Sequence, residues 1–162
     1  MIDRQRREMT EEEALTRLTA LCAAGEHCQH DMTSKMKRWG IAEEVQAHIM
    51  EHLVANRYVD DKRYARAFAN DKVLYDKWGP YKIDLALRQK GIDETIRREV
   101  LSNIDEQQFL DVLRPLLANK RRSIRAASQY ELNGKLIRFA TGRGFTIDQV
   151  RQCLDGDIDD VD

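Results

Sequence analysis

The chain has 162 residues, 34% of them charged, with 27 Lys and Arg against 28 Asp and Glu and only two prolines. That length suits one globular domain or a few small repeats, able to bury roughly 68–70% of the unfolded surface. No segment approaches the apolar length of a bilayer span, the N-terminus MIDRQRREMT lacks an apolar run, and three cysteines (Cys22, Cys28, Cys153) are an odd number. The expectation is a reduced, soluble, cytoplasmic protein without membrane contact.

Charge is unevenly placed. Residues 1–13 hold three basic and five acidic side chains and residues 155–162 hold five aspartates, so residues 14–154 carry a net +6. Apolar residues recur at helical spacing, and no sustained period-two run argues for a strand. The first helix is expected after an N-cap at Thr10 with Glu13, its stripe being Ala14 and Leu18. A loop over Gly25–Asp31 leads to a second helix with Met32 and Met36 inward, stopped at Gly40, and a third from Ala42 carries Val45, Ile49 and Leu53.

The pattern then repeats. Asp60 and Asp61 precede a helix with Tyr64 and Phe68, Gly79-Pro80 opens one with Ile83 and Leu87 that stops at Gly91, and another begins at Asp93. In the third round, Asp105 with Gln108 caps a helix carrying Phe109 and Leu113, which Pro115 should kink. The next helix is expected after Asn133-Gly134, with Leu136 and Ala140 before Gly144, and Thr146 with Gln149 caps the last. Superposing KMKRWGIAEEV, LALRQKGIDETI and FATGRGFTIDQV aligns the three glycines at intervals of 51 and 53 residues.

The predicted fold is therefore all-α: three tandem three-helix repeats forming an elongated, curved right-handed solenoid. The expected divisions are a flexible N-terminus (1–9), repeats at 10–58, 59–104 and 105–154, and an acidic tail (155–162). A curved stack suits lying along a surface better than enclosing a small substrate.

The run YVDDKRYARAF, Tyr58 to Phe68, followed by WGPYKIDLALRQKGI, Trp78 to Ile92, closely resembles the RecX family of recombination regulators. The shared features are Tyr58 and an aliphatic before Asp60-Asp61, then Tyr64-Ala65, Gly79, a basic residue, Leu87, and a basic-Gly-Ile ending at Gly91. The strong match covers residues 58–100, and the repeat framework extends it over about 10–154. The resemblance implies a non-enzymatic regulator without cofactor or small-molecule substrate. It would bind the RecA recombinase filament on single-stranded DNA and mainly inhibit ATPase, strand exchange and filament growth in recombinational repair and the SOS response. The mildly acidic total and Asp-rich end depart from the family, whose members are often basic.

Two other functions compete: a helical-repeat protein that binds single-stranded or duplex DNA without RecA, and a zinc hydrolase. The second rests on HIMEH, where His48 and His52 are one helical turn apart beside Glu51. The same two positions also fit the solvent edge of the Val45–Ile49–Leu53 stripe. Cys22, His27, Cys28 and His30 are soft-metal ligand types, or else a polar loop behind a buried Cys22. Asp60 and Asp61 fit helix capping better than a metal or acid–base pair. Tyr64 and Phe68 read as core, whereas Tyr75, Trp78 and Tyr81 are available for packing or stacking. The basic candidates are the run Lys120, Arg121, Arg122 and Arg125, and the repeat-equivalent pairs Lys82 with Lys135, Arg88 with Lys37, and Lys90 with Arg143. Stacked repeats would align such residues into a stripe facing phosphates or an acidic recombinase surface.

Overall fold

The structure, a computed structural model, describes residues 8–155. Most of the segment expected to be a flexible N-terminus and, beyond Asp155, the acidic tail lie outside the described residues. Nine α-helices and no strand occur among the described residues: α1 (Glu11–Ala24), α2 (Gln29–Arg38), α3 (Glu43–Ala55), α4 (Asp61–Leu74), α5 (Pro80–Gln89), α6 (Glu94–Ser102), α7 (Glu106–Ser123), α8 (Gln129–Gly142) and α9 (Ile147–Asp155).

The chain divides into two compact units, one running to Tyr64 and including residues 90–92, the other made of residues 65–89 and those from 93 onward. In the first, Ala14 and Leu18 of α1, Met32 and Met36 of α2, Ile49 and Leu53 of α3, and Val59 form one cluster, each at most 1% exposed. Burying each of the larger side chains stabilises by roughly 1.5–3 kcal/mol. In the second, Ile83 and Leu87 are buried on α5, and Leu113, Leu136, Ala140 and Val150 on α7, α8 and α9.

Residues four and eight before each aligned glycine are all 0% exposed: Met36 and Met32, Leu87 and Ile83, Ala140 and Leu136. The expected stripe is real. Phe68 differs, being only half-buried on α4 while Ala65 and Ala69 take the fully buried positions. Gly40, Gly91 and Gly144 have φ of 74°, 67° and 92°, the left-handed region that a Cβ disfavours. At the first, Ile41 N–H donates to the Met36 carbonyl (3.1 Å) and Gly40 N–H to that of Lys37 (3.0 Å), satisfying carbonyls the helix leaves free.

Caps fix most helix starts. Thr10, Asp60, Asp105 and Thr146 accept first-turn N–H groups as expected. Two boundaries depart from expectation. Helix α2 begins at Gln29, so Asp31 lies in its first turn, and α8 begins at Gln129, so Asn133 and Gly134 are inside the helix. In α8, Ser128 Oγ accepts the Glu131 N–H (3.1 Å) and Glu131 accepts that of Ala127 (3.1 Å). This capping, with Leu136 buried further on, outweighs the cost of an internal glycine, about 1 kcal/mol. Helix α7 continues past Pro115 to Ser123.

The paired aspartates divide their work. Asp60 caps its own helix, accepting from Arg63 N–H (3.0 Å), whereas Asp61 accepts from the backbone N–H of Gln29 (2.9 Å) at the start of α2. Asp61 thus supplies the negative end that the α2 N-terminus attracts, 32 residues away in sequence.

In the second unit, Gly79 and Gly144 meet. A Cβ on Gly79 would lie 2.2 Å from Phe145 N, and one on Gly144 would lie 2.4 Å from Lys82 Cβ, whereas a Cβ on Gly40 would meet nothing within 4 Å. Gly40→Ala should therefore cost only its backbone strain, about 1–2 kcal/mol, and Gly144→Ala should cost that plus overpacking, about 3 kcal/mol or more. Urea unfolding of the two variants is expected to lower the midpoint more for Gly144→Ala; equal losses would contradict the close approach.

Candidate partner-binding face

Between Asp111 and Asp148 the sequence has eight basic residues, from Arg114 to Arg143, and one acidic residue, Glu131, a net +7. Helices α7 and α8 carry most of this charge, because their apolar stripes turn inward and leave the intervening positions on the surface. The Lys120 ammonium lies 4.9 Å from the centre of the Phe139 ring, and the Arg143 guanidinium 5.3 Å from it. Phe139 and Arg143 are one helical turn apart, which places the cation at the ring. Arg122, with Lys120, Phe139 and Arg143, lines a surface pocket here.

A second cluster of the same kind surrounds Trp78. Lys72 and Lys82 lie 4.7 and 4.6 Å from its ring centre, and Phe68 meets it edge-on at 6.4 Å. Lys77, immediately before Trp78, has a φ of 56°, an uncommon conformation for a residue with a Cβ. It lets Trp78 N–H donate to the Lys72 carbonyl (3.0 Å) and fixes the indole among its cations. Arg143 joins the clusters, donating to the Asp76 carbonyl (3.1 Å), while Gly79 N–H donates to the Arg143 carbonyl (2.8 Å) and Tyr81 N–H to that of Gly144 (2.9 Å).

The predicted basic residues separate accordingly. Lys82, Lys120, Arg122 and Arg143 gather around the two aromatic centres. Lys135 pairs with Glu131 (3.2 Å) and donates to the Arg125 carbonyl (2.8 Å), tying α8 to the segment after α7. Arg121 lines a groove with Arg114, Arg122 and Leu154. Lys37 and Arg88 are exposed on α2 and α5. Lys90 is engaged inside the first unit, its ammonium 2.7 Å from Asp31. Lys72, Phe139 and Arg114 were not among the sequence candidates; the i, i+4 spacing of Phe139 and Arg143 was a legible signal, but the approach of Lys120 from another helix was not.

Residues of the RecX-like motif are mainly framework. Ala65 and Leu87 are 0% exposed. Tyr64 is buried, and that burial, with the nearby charges of Cys28, Asp31 and Asp61, pushes its phenol up to about 12. Tyr58 is exposed and stacks on His52 at 6.4 Å. In HIMEH, His48 and His52 are exposed; His48 bonds Glu11 of α1, which raises its pKa, and Asn56 donates to the His52 carbonyl at 2.9 Å.

The other ligand-type cluster is spread out. Contrary to expectation Cys22 is only half-buried, at the edge of the first unit's core in contact with Met32 sulfur (3.9 Å), and Cys28 is the fully buried one. Burial pushes the Cys28 thiol up to about 11, His27 faces Asp31 at 3.7 Å, and His30 is exposed. Among the described residues, no group of three or more His, Cys, Asp or Glu side chains is placed to hold a metal ion. No helix there is long and apolar enough to cross a membrane.

Comparison with known proteins gives this arrangement a family. The RecX second three-helix domain matches residues 60–101, and the RecX third three-helix domain matches residues 106–154. The chain belongs to the RecX family. It is 30% identical over 143 residues to the regulatory protein RecX of Prosthecochloris aestuarii, covering 88% of this chain and 91% of that protein. It is 26% identical to the RecX of Chromobacterium violaceum, covering 89% of this chain and 90% of that protein. The RecX of Lactobacillus johnsonii is longer, and the chain spans 43% of it. A crystal structure of regulatory protein RecX matches 90% of this chain and 73% of its own with a TM-score of 0.82 at 23% identity. RecX from Lactobacillus salivarius matches with a TM-score of 0.80 at 19% identity, covering 90% and 95%. These structures share the fold of this RecX family member.

The Asp31–Lys90 pair gives a pH signature. Burial alone would raise the Asp31 carboxyl, but the hydrogen bond and charge of Lys90, with the Cys28 contacts, hold it below its ordinary 3.8. A depressed carboxylate contributes stability above its unfolded pKa and loses it as pH falls through the folded value. Lys90, raised chiefly by its bond to Asp31, keeps its contribution below its ordinary 10.5 and loses it at higher pH. Asp31→Asn is therefore expected to lower the urea midpoint at pH 7, with the difference from wild type shrinking below pH 3.8. A difference unchanged down to about pH 2 would show that the pair contributes nothing.

Proposed function

We propose that this protein binds the RecA recombinase filament on single-stranded DNA and restrains it, lowering ATP hydrolysis, strand exchange and filament growth without itself catalysing a reaction. Membership of a family of regulatory proteins supports a regulatory role. The observation that carries the reading to a polyanionic filament is the joined pair of aromatic–cation clusters, Lys72 and Lys82 at Trp78 and Lys120 and Arg143 at Phe139. Ring faces hold the cations in place, and a filament that presents both phosphates and carboxylates attracts them.

The repeats in this reading are 10–58, 59–104 and 105–154. Arg88, Arg121, Arg125 and Lys135 extend the contact within the second compact unit and Lys37 offers one on the first, whereas Lys90, engaged with Asp31, acts through the framework. Work on the filament assigns the protein to the cytoplasm.

The test is DNA-dependent ATP hydrolysis by the cognate RecA on excess single-stranded DNA, titrated with this protein below one-to-one stoichiometry. The rate is expected to fall at substoichiometric levels; an unchanged rate would remove the reading. The same face also suits phosphates alone, so a helical DNA-binding protein acting without recombinase is the second reading. It predicts tight binding to bare DNA that weakens steeply with salt, and no effect on RecA beyond competition for DNA. Reversing Lys120 and Arg122 to Glu is expected to weaken filament binding roughly tenfold or more, about 1.4 kcal/mol, with helicity unchanged by circular dichroism. Wild-type inhibition by the folded double variant would move the contact elsewhere.

A further inference from the structure

The groove lined by α7 and α9 is not explained by the clusters at Trp78 and Phe139. Its floor is aliphatic, from Leu117, Ala118 and Leu154, and its rim is Arg114, Arg121 and Arg122. Arg114 and Arg121 are two helical turns apart on one side of α7, with Leu117 and Ala118 between them. Among the described residues no carboxylate lines the groove, and Arg114 and Arg122 are exposed. The floor residues Leu117 and Leu154 are 4% and 7% exposed.

We propose that this groove is the docking site of the chain's own acidic segment 155–162, DGDIDDVD, which competes there with anionic partners. Three features choose this occupant. First, its charge is complementary, five aspartates against a rim that carries the exposed Arg114 and Arg122, and guanidinium forks pair well with carboxylates. Second, Ile158 and Val161 suit an aliphatic floor, whereas a nucleotide base needs an aromatic face, which none of the described residues lining this groove supplies. Third, the segment starts where the groove ends, since Cys153 and Leu154 line it. An extended chain covers about 3.3 Å per residue, so the seven residues after Asp155 reach farther than the roughly 10 Å from Arg114 to Arg121 along the helix.

Arg122 borders both this groove and the pocket at Lys120 and Phe139. The docked segment withdraws Arg122 from that pocket and sets negative charge beside it, a salt-sensitive brake on binding. This consequence rests on the function proposed above; the docking does not.

The experiment compares backbone amide NMR spectra of the full chain and of a chain ending at Asp155. Docking predicts shift differences at residues 114–122 that are independent of protein concentration and vanish in about 0.5 M NaCl. They should also disappear when Arg114 and Arg122 are both changed to Gln in the full chain. Adding a synthetic DGDIDDVD peptide to the shortened chain should move the same amides. Unchanged amides at 114–122 would overturn the proposal, as would differences that grow with protein concentration, which would place the segment on a second copy. Affinity for a single-stranded oligonucleotide is measured in parallel and should rise roughly tenfold at low salt on shortening. Docking without that rise overturns the brake. Docking with no DNA binding by either chain instead counts against DNA contact in the proposed function.

Discussion

The contact between Gly79 and Gly144 governs the second unit. At both positions a Cβ would lie within 2.4 Å of backbone or of Lys82, a separation that real side chains do not adopt. Only hydrogen fits, and so two backbone hydrogen bonds form between the start of α5, at Gly79 and Tyr81, and the segment after α8. Trp78 stands beside one glycine and Arg143 beside the other. The basic face thus depends on a backbone approach that carries no charge.

Little of that face stabilises the fold. Cation–π contacts at exposed sites contribute about 0.5–1 kcal/mol each, and exposed ion pairs such as Lys135–Glu131 contribute about 0–1 kcal/mol. A net +7 between Asp111 and Asp148 opposes compaction through self-repulsion. Stability comes instead from the aliphatic side of the same helices, where Leu113, Leu136 and Ala140 are fully buried. One side of α7 and α8 holds the unit together and the other concentrates charge, an arrangement that stability alone would not favour.

The family motif belongs to the first of these tasks. Its paired aspartates cap two different helices, its Tyr64-Ala65 pair is buried, and its closing glycine turns the chain in the left-handed region. Lys90 of the basic-Gly-Ile ending points to Asp31 rather than outward. Such a motif identifies the framework strongly and the contact surface weakly, because capping and turn geometry constrain residue identity more tightly than a charged surface does.

The sequence by itself determined the helical class, the three left-handed glycine turns, the buried residues four and eight before them, and most caps, since these depend on neighbours within one or two turns. The start of α8 was also legible in Ser128 and Glu131, but the Asn-Gly pair after it read as the stronger signal. Tertiary structure alone decided that Lys120 reaches Phe139, that Lys90 turns to Asp31, that Asp61 caps α2, and that Gly79 meets Gly144. Each of these joins residues from about twenty to more than sixty positions apart, and such meetings are set by how helices pack, which a pattern of period 3.6 along one chain does not encode.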